Sequence, residues 1–413
     1  MKKLYIINII AFCLMLSSAC CFGQATPFKK EDYSFVKKEF NQFEFYGNKD
    51  YFKRFFEKME RVLIDEAGQL NIVHFGGSHL QADTWSNEIR LNLNQISPGI
   101  SGPRGFIFPY NLAKTNNPHA YKVEYTGNWE GCRSAYRPKD CLLGVSGISA
   151  TTYDTLSSLK ITFRDGNPSS YAYTKLKVFH HLSDSSFTIF PVNDTAYTVR
   201  NNVESGYTEF TFKEKKTEIE LEFRKIDEQQ NYFSMFGLLP ENNEPGIVYH
   251  SIGVNGASVP SYNKCQLFTQ HLAVIKPDLV IFSIGINDVH DSNYTDKWYE
   301  ANYDSLIAKV RLAAPNAAIL FTTNTDSYIK RRTPVKNSMD ARKVMIKLAE
   351  KHGGAVYDIF NIMGGLTSIK QWERNGMAKR DLVHLTVDGY KVLGELMFNG
   401  FLKSYIHFNS GKS

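Results

Sequence analysis

Leu70-Asn71-Ile72-Val73-His74-Phe75-Gly76-Gly77-Ser78-His79-Leu80-Gln81-Ala82-Asp83 is the stretch that decides the fold. Residues 70–75 read as a short buried strand. Two glycines turn the chain, and a serine stands just before a helix expected over residues 81–95. Strand, glycine turn and helix open an α/β unit. Upstream, residues 28–70 are charged and aromatic with helical spacing. Phe52, Phe55, Phe56, Met59 and Val62-Leu63 mark one apolar face, and Gly68 ends that helix.

Downstream the texture changes. Pro98, Gly99, Gly102, Pro103 and Gly105 cluster, and short alternating runs follow at 121–125, 157–163, 172–179, 186–191, 207–212 and 217–223. Turn-forming or charged residues bound each run and no amphipathic helix interrupts them, which predicts an all-β sandwich over 98–245. From Gly246 strands (247–252, 279–284, 318–322, 355–359) alternate with helices (near 266–275, 303–313, 338–351 and 388–405). That alternation implies an α/β parallel sheet with helices on both faces. The expected architecture is one α/β domain, residues 28–97 plus 246–413 with a helical extension over 28–70, split by an inserted sandwich.

The chain has 413 residues, more than one ordinary core holds, with 43% apolar and 22% charged residues, as in soluble globular proteins. Its net charge of +6 is scattered, with no run of five basic residues, which argues against a nucleic-acid partner. Lys2 and Lys3, the apolar run 4–16 and the small residues Ser17, Ser18 and Ala19 have the form of a signal peptide over 1–25. The run is too short for a comfortable membrane span. An exported protein, periplasmic or secreted, is expected. Lipid attachment at Cys20, giving an outer-membrane lipoprotein, is the alternative and would be its only tie to a membrane. Of the cysteines beyond that segment, Cys132 and Cys141 are close enough in sequence to pair in an oxidising compartment, and Cys265 is expected to be buried. No Cys/His spacing resembles a zinc site, and neither metal nor cofactor is expected. His180 and His181, adjacent on a predicted strand, face opposite sides and are poorly placed to share an ion.

Four places follow predicted strand ends, where an open α/β sheet keeps its active crevice. The first is Gly76-Gly77-Ser78-His79. A serine hydroxyl needs a base to become a nucleophile, and on a tight turn its own N–H can face a developing oxyanion. The second, Asn255-Gly256-Ala257-Ser258, lets a glycine backbone come close to a substrate. The third is Gly285-Ile286-Asn287-Asp288, where an asparagine amide can donate to an oxyanion. The fourth, Asp381-Leu382-Val383-His384, puts a carboxylate and an imidazole three residues apart on one turn, where the first can orient the second. Each alone is commonly a cap or a turn. The order of all four is far more specific.

That order resembles the SGNH hydrolases, also called the GDSL family. The resemblance covers the α/β part, roughly half the chain, and implies a flavodoxin-like sheet. It implies Ser78 as nucleophile, His384 as base, Asp381 as the carboxylate that orients it, and an oxyanion hole from the N–H groups of Ser78 and Gly256 and the amide of Asn287. The family's first block is usually Gly-Asp-Ser. Gly77 replaces the aspartate here, which implies a looser nucleophile loop. Gly76–Ala82 otherwise looks like the Gly-Asp-Ser-His-x-Gln-Ala form of that block. A large β insert directly after it is similar to the layout of bacterial cell-wall O-acetylesterases, peptidoglycan O-acetylesterases among them, whose insert resembles a carbohydrate-binding module. An acetylated polysaccharide is then the implied substrate. An O-acetyltransferase with the same residues and a carbohydrate-binding protein with a weakened site are the alternatives. His79 and His290, by their positions in the first and third blocks, are further candidates for substrate contact.

Overall fold

The computed structural model describes residues 28–411 except 30–32, 98, 101, 137–140, 165–170 and 193. The expected signal peptide and Cys20 lie outside the described residues. Five parallel strands stand in the order Gly246–Gly253, Gln69–Gly76, Leu279–Ser283, Ala318–Thr322 and Ala355–Tyr357. Counted along the chain this is 2-1-3-4-5, the flavodoxin-like order. A sixth strand, Phe43–Phe45, joins antiparallel beside Ala355–Tyr357. The N-terminal stretch is therefore not only helical. It closes one sheet edge before entering the helix Asp50–Ile64.

Successive strand residues point to opposite faces. Val73, Phe75, Val280, Phe282 and Phe321 enter one core, covered by the helices Phe268–Ile275, Asp296–Ala313 and Asn337–His352. Ile72, Ile281, Leu320 and Tyr357 enter the other, covered by Asp50–Ile64, Thr84–Asn94 and Val387–Asn409. The helix expected over 81–95 is broken. Ser78–Gln81 makes one turn, and Thr84–Asn94 starts afresh after Asp83, whose φ of 54° is left-handed. The carboxylate of Asp83 is buried between the guanidinium groups of Arg90 and Arg104, and this tertiary contact holds the strained backbone.

The residues between the two α/β segments form antiparallel sheets of six and four strands. Leu159, Ile161, Leu221 and Phe223 of the smaller sheet share a core with Leu176, Val178, Phe210 and Met235 of the larger. Glu130–Arg133, Ile148–Thr152, Tyr197–Asn202 and Phe233–Glu241 are strands that the sequence pattern did not predict. Residues 102–110 do not join the sandwich sheets beyond a single bridge at Ile107. They run beside Gly246–Gly253, where Phe106 N–H donates to His250 Nδ1 (3.0 Å) and the Tyr110 hydroxyl to Gly253 O (2.8 Å). An otherwise open sheet edge is covered in this way. The two cores are continuous, with the His271 ring 4.8 Å from Phe179 and Leu267 N–H donating to Leu143 O. Cys132 and Cys141 form a disulfide, and Cys265 is buried and free. His180 bonds Ser186 and Thr208 while His181 bonds Tyr232, so the two rings have separate partners. Among the described residues no helix is long and apolar enough to cross a membrane.

Candidate active site

In a 2-1-3-4-5 sheet the crevice opens where the strand order reverses, between the carboxyl ends of Gln69–Gly76 and Leu279–Ser283. Ser78 and Asn287 leave from those two ends. Ser78 opens the turn Ser78–Gln81, and its Oγ lies 2.9 Å from His384 Nε2. His384 Nδ1 lies 2.9 Å from Asp381 Oδ2, and the other oxygen of Asp381 accepts the N–H groups of Val383 (2.9 Å) and His384 (3.0 Å). Burial acts to raise the Asp381 pKa, but these bonds and the adjacent imidazole outweigh it and hold the carboxyl below its ordinary value. The loop is closed at its base, where Lys379 N–H donates to His384 O (2.8 Å) and Ala378 bridges Leu385.

The second and third blocks converge beside Gly77. A Cβ there would lie 3.4 Å from Asn287 Nδ2 and 3.5 Å from Ala257 O. Asn287 Nδ2 donates to Ala257 O at 2.8 Å, which leaves its second amide hydrogen free to donate. The Asp288 carboxyl accepts Val259 N–H (3.1 and 3.2 Å) and is pushed up to about 7 by burial. Gly285, at φ 143°, must be glycine, because a Cβ would collide with the Tyr299 hydroxyl. Gly256 has φ 81° and stands exposed, with a Cβ position only 3.7 Å from Ala135 of the disulfide-closed loop. Neither its N–H nor that of Ser78 is paired with an acceptor among the described residues.

The first block is tied to its surroundings through the backbone of Gly76 and Gly77. Gly77 O accepts Leu80 and Gln81 N–H, while Gly76 O accepts Val254 N–H and the Tyr262 hydroxyl. None of these bonds needs a side chain at position 77. His79 is placed differently from the expectation of substrate contact. It is buried, bonded to the Tyr390 hydroxyl (2.8 Å) and stacked on His384 with ring centroids 5.1 Å apart. Burial, and then the His384 charge, lower its pKa to about 3, so it stays neutral beside the candidate base. His290 is bonded to Ser327 (2.9 Å) and is not on the cleft wall; burial and the His384 charge lower its pKa too.

Gln81 carries a connection that sequence reasoning missed. Its Oε1 accepts Asn255 N–H (2.7 Å), and its Nε2 donates to Thr115 Oγ1 (3.1 Å) and Asn116 O (2.8 Å). One buried amide thus fixes the Gly256 loop to the segment leading into the sandwich. Its place in the quoted Ser-His-x-Gln block was the only signal. Gln81→Met keeps the volume and removes these bonds. It is expected to lower kcat on an aryl acetate roughly 10- to 100-fold with Tm still cooperative, as a misplaced oxyanion donor would. A loss under twofold would refute that positioning role.

An α/β sheet of this order brings a serine, an imidazole and a carboxylate together beside its reversal point, the arrangement of a serine hydrolase. Residues 228–392 match the GDSL-like lipase/acylhydrolase family, and the match supports a carboxylic ester hydrolase. The match begins after Ser78, which the sandwich separates from the other blocks. A solved structure of a peptidoglycan O-acetylesterase is similar at 21% identity and TM-score 0.72, over 88% of this chain and 99% of that one. A lipase/acylhydrolase from Enterococcus faecalis is similar at 20% identity and TM-score 0.30, over 37% of this chain and 74% of its own. An acetyl-xylooligosaccharide esterase from Geobacillus Stearmophilus is similar at 23% identity and TM-score 0.30, over 39% and 73%. No curated protein matches the sequence.

Proposed function

We propose that this protein is an exported esterase that removes O-acetyl groups from a polysaccharide of the peptidoglycan type. The observation that carries this is the Ser78–His384–Asp381 relay, with both contacts at 2.9 Å, opening into a cleft of about 890 Å³. Ser78 attacks the acetyl carbonyl while His384 Nε2 takes its proton. The oxyanion is held by the N–H groups of Ser78 and Gly256 and the free amide hydrogen of Asn287, donors worth about 2.7–4 kcal/mol each in comparable sites. His384 returns the proton to the leaving sugar oxygen, and water, activated by the same imidazole, releases acetate from Ser78. Asp381 remains ionised and fixes the imidazole tautomer. The side chains of His384 and Asp381 are 35% and 46% exposed, so water reaches the acyl-enzyme freely, which favours hydrolysis over transfer to a second sugar.

Export is supported by the pattern of residues 1–25 and by the Cys132–Cys141 disulfide, a bond that persists in oxidising compartments. The similarity over almost the whole length of a peptidoglycan O-acetylesterase, sandwich included, supports the glycan class. In this reading the sandwich presents that glycan to the cleft. The test is acetate release by the purified protein from O-acetylated peptidoglycan, acetylated xylan and 4-nitrophenyl acetate. Release from peptidoglycan at a kcat/KM well above that on xylan is expected. Failure on every ester would sink the esterase reading, and preference for xylan would sink the glycan class.

A further inference from the structure

The cleft that holds Ser78 and His384 is lined by side-chain amides, hydroxyls and one lysine. Asn111, Asn116, Asn117, His119, Asn255 and Lys379 are among its lining residues, and no aspartate or glutamate is. Lys379 is anchored through its backbone. Its N–H is bonded to His384 O and its carbonyl accepts Leu382 N–H (3.0 Å), so its backbone is fixed at the base of the loop that carries the imidazole. Its side chain is exposed and has no carboxylate partner among the described residues, whereas Lys58 pairs with Asp278 and Lys177 with both Glu209 and Glu241. It is close enough for its charge to act on His79 beneath the imidazole. The nearest acid in the loop, Asp381, is already engaged by His384 and two backbone N–H groups.

An ammonium in the lining of a cleft without an acid disfavours cationic ligands and favours a negative charge on the bound substrate. The asparagines and histidine of the same lining suit sugar hydroxyls and amides, which need both donors and acceptors. Resting on the esterase reading above, we propose that Lys379 determines specificity by binding a carboxylate of the acetylated glycan, so that the substrate class is an O-acetylated, carboxylate-bearing glycan rather than a neutral one.

The experiment compares the parent, Lys379→Met and Lys379→Arg. The substrates are O-acetylated peptidoglycan fragments, whose carboxylates sit on the peptide side chain, and acetylated polygalacturonate oligomers, whose carboxylates sit on the sugar. Each is used native and with its carboxylates capped as amides, beside 4-nitrophenyl acetate. Lys379→Met is expected to lower kcat/KM about five- to tenfold on a native carboxylate-bearing glycan, mainly through KM. The same variant should change aryl acetate hydrolysis by less than twofold, and Lys379→Arg should retain most of the parent preference. Capping should remove the difference between parent and Lys379→Met, and the affected glycan identifies where the carboxylate sits. Equal turnover of capped and native glycans by the parent, or equal losses on all substrates in Lys379→Met, would overturn the proposal while leaving the esterase intact. A parent inactive on 4-nitrophenyl acetate and on every glycan would overturn the esterase reading, and this proposal with it.

Discussion

Ser78→Ala is expected to lower kcat on any acetyl ester by on the order of 10⁶-fold, with the fold and glycan binding unchanged. The magnitude follows from the relay acting as a unit. With Oγ gone, His384 Nε2 has no proton to take, and the orientation supplied by Asp381 has nothing to act on. His384→Ala should therefore cost a similar factor, and the double variant little more than either alone. A residual rate above the uncatalysed reaction should persist, because the oxyanion donors on Gly256 and Asn287 remain. Single-turnover kinetics with 4-nitrophenyl acetate separate the cases, since the parent is expected to form an acetylated Ser78 and the variant none. A variant that keeps more than one per cent of the parent kcat would show that another group is the nucleophile.

The largest expected loss of stability lies five residues further on. Asp83 is 4% exposed and paired with Arg90 and Arg104, each 1% exposed. Asp83→Ala leaves two buried cations without their shared anion, a change that costs about 3–5 kcal/mol. Burial by itself would raise the Asp83 pKa, but the two guanidinium charges outweigh it and bring the carboxyl to about 2. A carboxyl with a lowered folded pKa contributes stability that is complete above its unfolded value, about 4, and that is lost as pH falls through about 2. Denaturant unfolding at pH 7 and at pH 2.5 checks both points. The gap between parent and variant should narrow at the lower pH, and a gap under 1 kcal/mol at pH 7 would mean that the arginines find other partners.

What could be read in the sequence depended on how local the cause was. The strand before Ser78 and the run Leu279–Ser283 are legible because a strand covered on both faces must be apolar at nearly every position. Ser78 and Asn287, just past the ends of such strands, are legible for the same reason, since the sheet itself fixes where they emerge. Asp381 and His384 do not follow a strand end as expected but lie beyond two helices after the strand Ala355–Tyr357, and only their spacing made them legible. Tyr197–Asn202 was not legible because it is an edge strand whose side chains are mostly exposed, so it has no buried alternation to show. Phe233–Glu241 was hidden by Gly237 and Pro240, residues depleted in strands, which a bulge and the strand's end accommodate here. The break at Asp83, the burial of His79 and the bonds of Gln81 depend on groups distant in sequence (Arg104, Tyr390, Asn255 and Thr115), and no local pattern encodes them.

The sandwich has a consequence for how the enzyme is assembled. Gln69–Gly76 pairs in register with Gly246–Gly253, although residues 77–245 separate them. Were that stretch a flexible loop, closing it would cost about 4–5 kcal/mol of chain entropy before the first of these bonds formed. The folded sandwich removes most of that cost, because its own pairing holds its two ends together, with Ile107 bridged to Leu238 close to where the chain enters and leaves. Ser78 lies before this stretch, and Gly256, Asn287, Asp381 and His384 lie after it. The insert thus serves as a folding clamp that turns a slow, distant β-pairing into a near-local one and joins the nucleophile to the rest of its site.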